Sequence, residues 1–157
     1  MAEGDISYAS ACYEEAYTLC QAPDWRQHVY AGQAYKGMGE LALSRGNYTA
    51  ALQFLREGLA LSNPPVIKLW ILDVLAGVIG TMPRRTTGDV QCAARIWGAA
   101  EALLEKMGVV HTPHDRRRME ALIAEARSRI NPKTFAAAWA EGRELSLDEA
   151  IALAMVD

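Results

Sequence analysis

The residues with the widest chemical reach sit close together near position 110. His111 and His114 stand three apart, with Thr112-Pro113 between them. Two imidazoles at that spacing are half of a tetrahedral zinc site, but no cysteine lies nearby to complete it. Turn chemistry accounts for the segment without a metal: Thr112 as helix N-cap, Pro113 at the first helical position and Asp115 at the third. Arg116-Arg117-Arg118 follow, where cations oppose the positive end of the helix dipole. Arg84-Arg85 form a second basic pair. Phosphate contact is the chemistry such clusters could do. The net charge is −3 and no aromatic is interleaved, so we read a solvated face balanced by Glu120 and Glu125. Asp73 is the one acid in the apolar stretch Leu69 to Leu75. It is either on a narrow polar face or buried with a partner, and a perturbed pKa would mark a functional pocket. We place it at the surface. No Ser/His/Asp or Cys/His arrangement can be nominated, so no catalytic, cofactor-binding or metal-ligating residue is assigned and no enzyme is expected.

The chain that must position these groups has 157 residues, of which 51% are hydrophobic and 22% charged. At this length about 70% of the unfolded surface can be buried, so neither disulfide nor metal is needed. Abundant alanine and scarce β-branched runs favour helix throughout. Cys12, Cys20 and Cys92 are an odd count without metal-like spacing. They read as small core residues of a reduced, cytoplasmic protein. No apolar run suits a membrane span or a signal peptide, and the acidic balance argues against direct nucleic-acid contact.

Helical periodicity runs along the chain. A first helix spans about Asp5 to Cys20, with Ile6, Ala9, Tyr13, Ala16, Tyr17 and Cys20 on its stripe. Asp24 and Gln27 form a capping box for a second helix, which ends near Arg45 with Gly46 as its C′ glycine. Asn47 caps a third, which Asn63-Pro64-Pro65 stops. Val66 to about Thr81 is the fourth. Pro83 to Gly88 is a polar loop, and Asp89 caps a fifth helix to about Met107. The Thr112 helix follows, with Met119, Leu122, Ile123, Ala126 and Ile130 on its stripe. Asn131-Pro132 starts a short helix holding Phe135 and Trp139, which Gly142 ends. Ser146 and Glu149 open the last with another capping box. The expectation is all-α, about eight helices and no strand. Trp97, Trp139 and Trp70 read as core, whereas Trp25 at a helix start need not be buried.

Gly4, Gly46 and Gly88 recur every 42 residues, each followed by a turn-or-cap residue. The register extends through Ala9/Ala51/Ala93, Tyr13/Leu55/Trp97 and Ala16/Gly58/Ala100. A fixed period of this size marks a helical repeat array. The residues Asn47-Tyr48, Ala51, Leu55 and Gly58, with Gly39 as the small residue of the preceding helix, resemble a tetratricopeptide repeat. Gly88-Asp89, Ala93, Trp97 and Ala100 fit again. The ordinary period is about 34 residues, so this chain exceeds it. The run Ala93 to Leu103, followed by Phe135 to Arg143 and Leu145 to Ala150, is similar to the C-terminal end of bacterial LuxR/MalT-like and AfsR-like signalling ATPases. There, a tetratricopeptide-like sensor region follows an ATPase core. No phosphate-binding glycine-lysine motif occurs here, so no ATPase function carries over.

The resemblance implies a right-handed solenoid over residues 1–110, its first repeat incomplete, with capping helices over 111–157. The missing half-repeat suggests a piece of a longer protein, with Met1 not its natural start. In tetratricopeptide proteins the first helix of each pair lines a concave groove. Gln33, Lys36, Glu40 and Leu43 would line it here, followed by Ile71, Val74 and Val78. The alternative is that the apolar half packs on the capping helices. The expected function is a protein-interaction or effector-sensing module of a bacterial transcriptional regulator. Its partners would be a peptide, another protein, neighbouring domains or a small effector. The competing expectation is self-association as a homodimer through the first helix, whose face offers Tyr13, Tyr17 and Cys20.

Overall fold

The computed structural model describes residues 3–22, 24, 31–83 and 86–156; the described side chains begin at Tyr8 and omit that of residue 9. Gln27, Trp25, Arg84 and Arg85, and the side chains of Ile6 and Ala9, lie outside the described set. Among the described residues the fold is all-α, with eight helices and no strand. They are α1 (Glu3–Cys20), α2 (Ala31–Ser44), α3 (Tyr48–Leu61), α4 (Pro65–Thr81), α5 (Thr87–Met107), α6 (Pro113–Arg127), α7 (Pro132–Gly142) and α8 (Leu147–Ala154). No helix is long and apolar enough to cross a membrane, among the described residues.

Local chemistry sets most of the helix ends. Gly46 takes a left-handed backbone (φ 71°), which costs glycine nothing because it has no Cβ. Its N–H donates to Leu43 and the next N–H, of Asn47, donates to Ala42, which satisfies the last carbonyls of α2. The Asn47 side chain then accepts from the Ala50 N–H at 3.1 Å and starts α3. Gly108 (φ 66°) closes α5 in the same way, with Val109 N–H donating to Leu104 at 3.0 Å. Thr112, Asn131 and Ser146 cap α6, α7 and α8 as the sequence predicts.

One expectation about helix ends is corrected. Asp89 is not the cap of α5; Thr86 is, and Asp89 is the N3 acid whose carboxylate accepts from the Thr86 N–H at 2.7 Å. Gly88 therefore lies inside the first turn of α5 and does not repeat the left-handed role of Gly46. Gly142 is the last residue of α7, as expected; Arg143 follows it in right-handed conformation, and Gly142 also serves a close helix crossing.

The chain divides into two compact units, Met1–Ile71 and Leu72–Asp157. In the first, α2 packs on both α1 and α3. Leu55, fully buried, sits against Gly39, and Tyr35 sits against Gly58. Tyr17 meets the rings of Tyr35 and Phe54 edge-on, with centroids 5.1 and 5.3 Å away. Edge-to-face geometry sets the positive rim of one ring on the negative face of another. Cys20 is buried beside Ala31 and Ala34, and burial pushes its thiol pKa up. Of the expected open face, Tyr17 and Cys20 are packed and Tyr13 stays exposed; Tyr8 and Leu19 are exposed on α1 as well. Cys12, expected in the core, is exposed.

In the second unit, α5 packs on α7 and α8. The α5–α7 crossing brings backbone to backbone. A Cβ at Gly98 would collide with the Trp139 carbonyl, and one at Gly142 with the Arg95 backbone. Gly77 and Gly80 of α4 receive Leu122 and Ala126 of α6. Residues 71–80 of α4 are buried without interruption, as a helix apolar on every side requires. The Thr81 hydroxyl is buried but donates to the Gly77 carbonyl at 2.7 Å, so that hydroxyl is satisfied.

Candidate functional site

The second unit contains a cleft of about 370 Å³, within the range of small-molecule sites. Asp73 of α4 lies at its base. The expectation of a surface position for this acid is overturned: the residue is 5% exposed. Its partner is His111, whose Nε2 stands 3.1 Å from the Asp73 Oδ2. The Asp73 carbonyl also accepts a hydrogen bond from the indole N–H of Trp97, at 3.1 Å. Burying a lone carboxylate is prohibitive, so the imidazole offsets a cost that the apolar setting of α4 imposes.

Why His111 arrives there follows from the helix ends. Gly108 closes α5 and Thr112 opens α6, which leaves three residues, Val109 to His111, between the two caps. A connection this short has little freedom, so the caps position the imidazole. His111 is therefore spent on Asp73, while His114, three residues on, is exposed at the start of α6. Among the described residues no group of three or more His, Cys, Asp or Glu is arranged to hold a metal.

The walls combine aromatic surface with charge. Trp97 is buried at 1% exposure and Trp139 is half-buried; their rings stack with centroids 6.3 Å apart. On α5, Glu101 accepts from the Trp139 indole N–H at 2.8 Å and from Arg143, whose second nitrogen donates to Glu105 at 2.7 Å. The hydrogen bonds to Glu105 and then Glu101 hold the Arg143 guanidinium above its already high ordinary pKa. Opposite, α6 brings Arg116, Met119 and Glu120 to the cleft. The neighbouring Arg118 pairs instead with Asp115, and Glu125 with Arg129. This arrangement can bind and orient a small charged molecule against two indoles.

The residues predicted to line one groove fall in different places. Gln33, Lys36 and Glu40 do line a groove of about 310 Å³ in the first unit, opposite Tyr13, Ala16 and Leu19 of α1. Lys36 and Glu40 form an ion pair one turn apart on α2. Leu43 is half-buried and outside that groove's lining. Ile71, Val74 and Val78 are buried core residues rather than groove wall. On the same helix, Gly77 and Gly80 pack on α6. Trp97 is core as expected, whereas Trp139 and Trp70 are half-buried. The sequence reading named Asp73 but missed His111 as its partner and Glu101, Glu105 and Arg116 as its neighbours in one cleft. Comparison with family models, with curated proteins and with solved structures finds no match to this chain.

Proposed function

We propose that this chain is an effector-sensing or protein-interaction module of a larger bacterial transcriptional regulator, built as a tetratricopeptide-like solenoid. The observation that carries the sensing half is the ligand-sized cleft over the Asp73–His111 pair. An occupant of that cleft touches the short connection between α5 and α6, so it can bias where α6 lies. Such a module transmits only the difference in binding free energy between its two states. Support for the regulator context is the resemblance of Ala93 to Leu103 and Phe135 to Ala150 described above. The first-unit groove, apolar along α1 and charged at Lys36 and Glu40, supports recognition of a short peptide or helix.

The test is a panel of amino acids, amines, organic acids, nucleosides and sugars, screened by amide NMR on the full chain. A hit should perturb Val109, Val110 and His111 and raise the melting temperature in proportion to occupancy. If no compound moves those resonances, the sensing reading fails. A gene encoding neither a nucleotide-binding nor a DNA-binding segment alongside this one would remove the regulator context. Self-association is the second reading, favoured by Tyr8 and Leu19, which are 75% and 57% exposed on α1. Sedimentation at low and high concentration decides it, and a strict monomer counts against it.

A further inference from the structure

We propose that the cleft of the second unit takes a small organic cation, an ammonium group carried on a compact apolar or aromatic body. This rests on the effector-sensing reading and names the class of effector. The lining supplies four carboxylates, from Asp73, Glu101, Glu105 and Glu120. Against them stand Arg116 in the lining and Arg143, which bonds both Glu101 and Glu105. The lining thus holds more acid than base, with the His111 imidazole facing Asp73. A concave site with low-dielectric walls concentrates that potential on whatever enters it.

The same cleft is not merely acidic. Trp97, Leu104, Met119 and Ile123 give it an apolar wall, and an indole presents a negative face that attracts cations. Apolar Val110, 75% exposed, stands at the lip. An ammonium with an apolar body satisfies both features at once. A carboxylate ligand would meet one guanidinium, Arg116, and the acids on α5 and α6 would repel it. A bare divalent ion is disfavoured because the acids stand on different walls and are not grouped as metal ligands.

Glu120 and Arg116 are the residues through which to test this. They lie one turn apart on α6 and are exposed, so changing them leaves the core intact. The full chain is titrated with phenethylamine, hydrocinnamate and phenethyl alcohol, which share one ring and differ in the sign of the head group. Amide and indole N–H resonances report the site. Phenethylamine should perturb Val109 to His111 and the indoles of Trp97 and Trp139, with the alcohol weaker and hydrocinnamate weakest. Glu120→Gln should weaken amine binding about threefold, and Arg116→Glu should strengthen it by about the same factor, as exposed charge pairs do. Circular dichroism confirms that both variants fold. Stronger binding of hydrocinnamate than of the amine overturns the cation assignment, as does amine binding that neither variant changes. Silence from all three probes overturns it too. The effector-sensing reading outlives each of these results if the wider compound panel still perturbs the connection between α5 and α6.

Discussion

The two units differ in one kind of close glycine contact. In Met1–Ile71 each close glycine receives a side chain: Leu55 at Gly39, Tyr35 at Gly58 and the Tyr13 ring at Gly37. In Leu72–Asp157 the α5–α7 crossing sets Gly98 and Gly142 against the other helix's backbone. A side chain can change rotamer when crowded, whereas a packed helix backbone moves only if the whole helix does. The α5–α7 crossing is therefore the geometrically fixed contact. The candidate cleft takes Trp97 and Glu101 from α5 and Trp139 from α7, which suits a site whose charges must hold their positions to discriminate a ligand.

The largest effect should come from Gly142→Ala or Gly98→Ala. Each places a methyl inside the opposing backbone and should cost about 3 kcal/mol or more. Hydrogen exchange would rise through α5 to α8 while α2 and α3 keep their protection. Equal loss in both units would break the contrast. Gly39→Ala comes next, at about 2 kcal/mol, because Leu55 is fully buried and must shift within a filled core. Denaturant titration measures it, and a value matching Gly142→Ala would erase the distinction between side-chain and backbone contacts. Gly37→Ala should fall within about 0.5 kcal/mol of neutral. Tyr13 is 38% exposed and can swing into water, while alanine gains helix propensity over glycine.

The smallest effect is pH-linked and local. Glu149 has its pKa lowered below the ordinary 4.5 by the backbone hydrogen bond from Ser146, then by the Ser146 hydroxyl. A depressed folded-state pKa means stabilisation that is present above the unfolded value and lost as pH falls through the folded one. The first turn of α8 should loosen below about pH 4, seen as movement of the Ser146 amide resonance. Glu149→Gln should flatten that titration, and an unchanged profile would assign it to another group.

Much of this fold was legible locally. Asn47, Thr112-Pro113, Asn131 and the Ser146–Glu149 box each act within four residues, so spacing alone reveals them. Thr86 to Asp89 carries the same signal and was obscured by reading the three glycines as one register. Asp73 and His111 are another matter. Their pairing joins segments far apart in sequence, and no helical period connects them. The apolar surroundings of Asp73 signalled a choice between burial and exposure, and only tertiary packing decides it. Gly98 and Gly142 were similarly opaque. A glycine that admits a neighbouring backbone and one that terminates a helix are the same letter.

The unbroken burial of residues 71–80 has a consequence for how this protein can be cut. A chain ending before α6 would still synthesise α4 but would lack the cover that Leu122 and Ala126 supply over Gly77 and Gly80. The uncovered segment carries a single charge, Asp73, among residues that favour self-adhesion. Its histidine partner lies close to the cut and would have no helix behind it to hold its position. Such truncations should collect in the insoluble fraction, so the second unit is best handled whole.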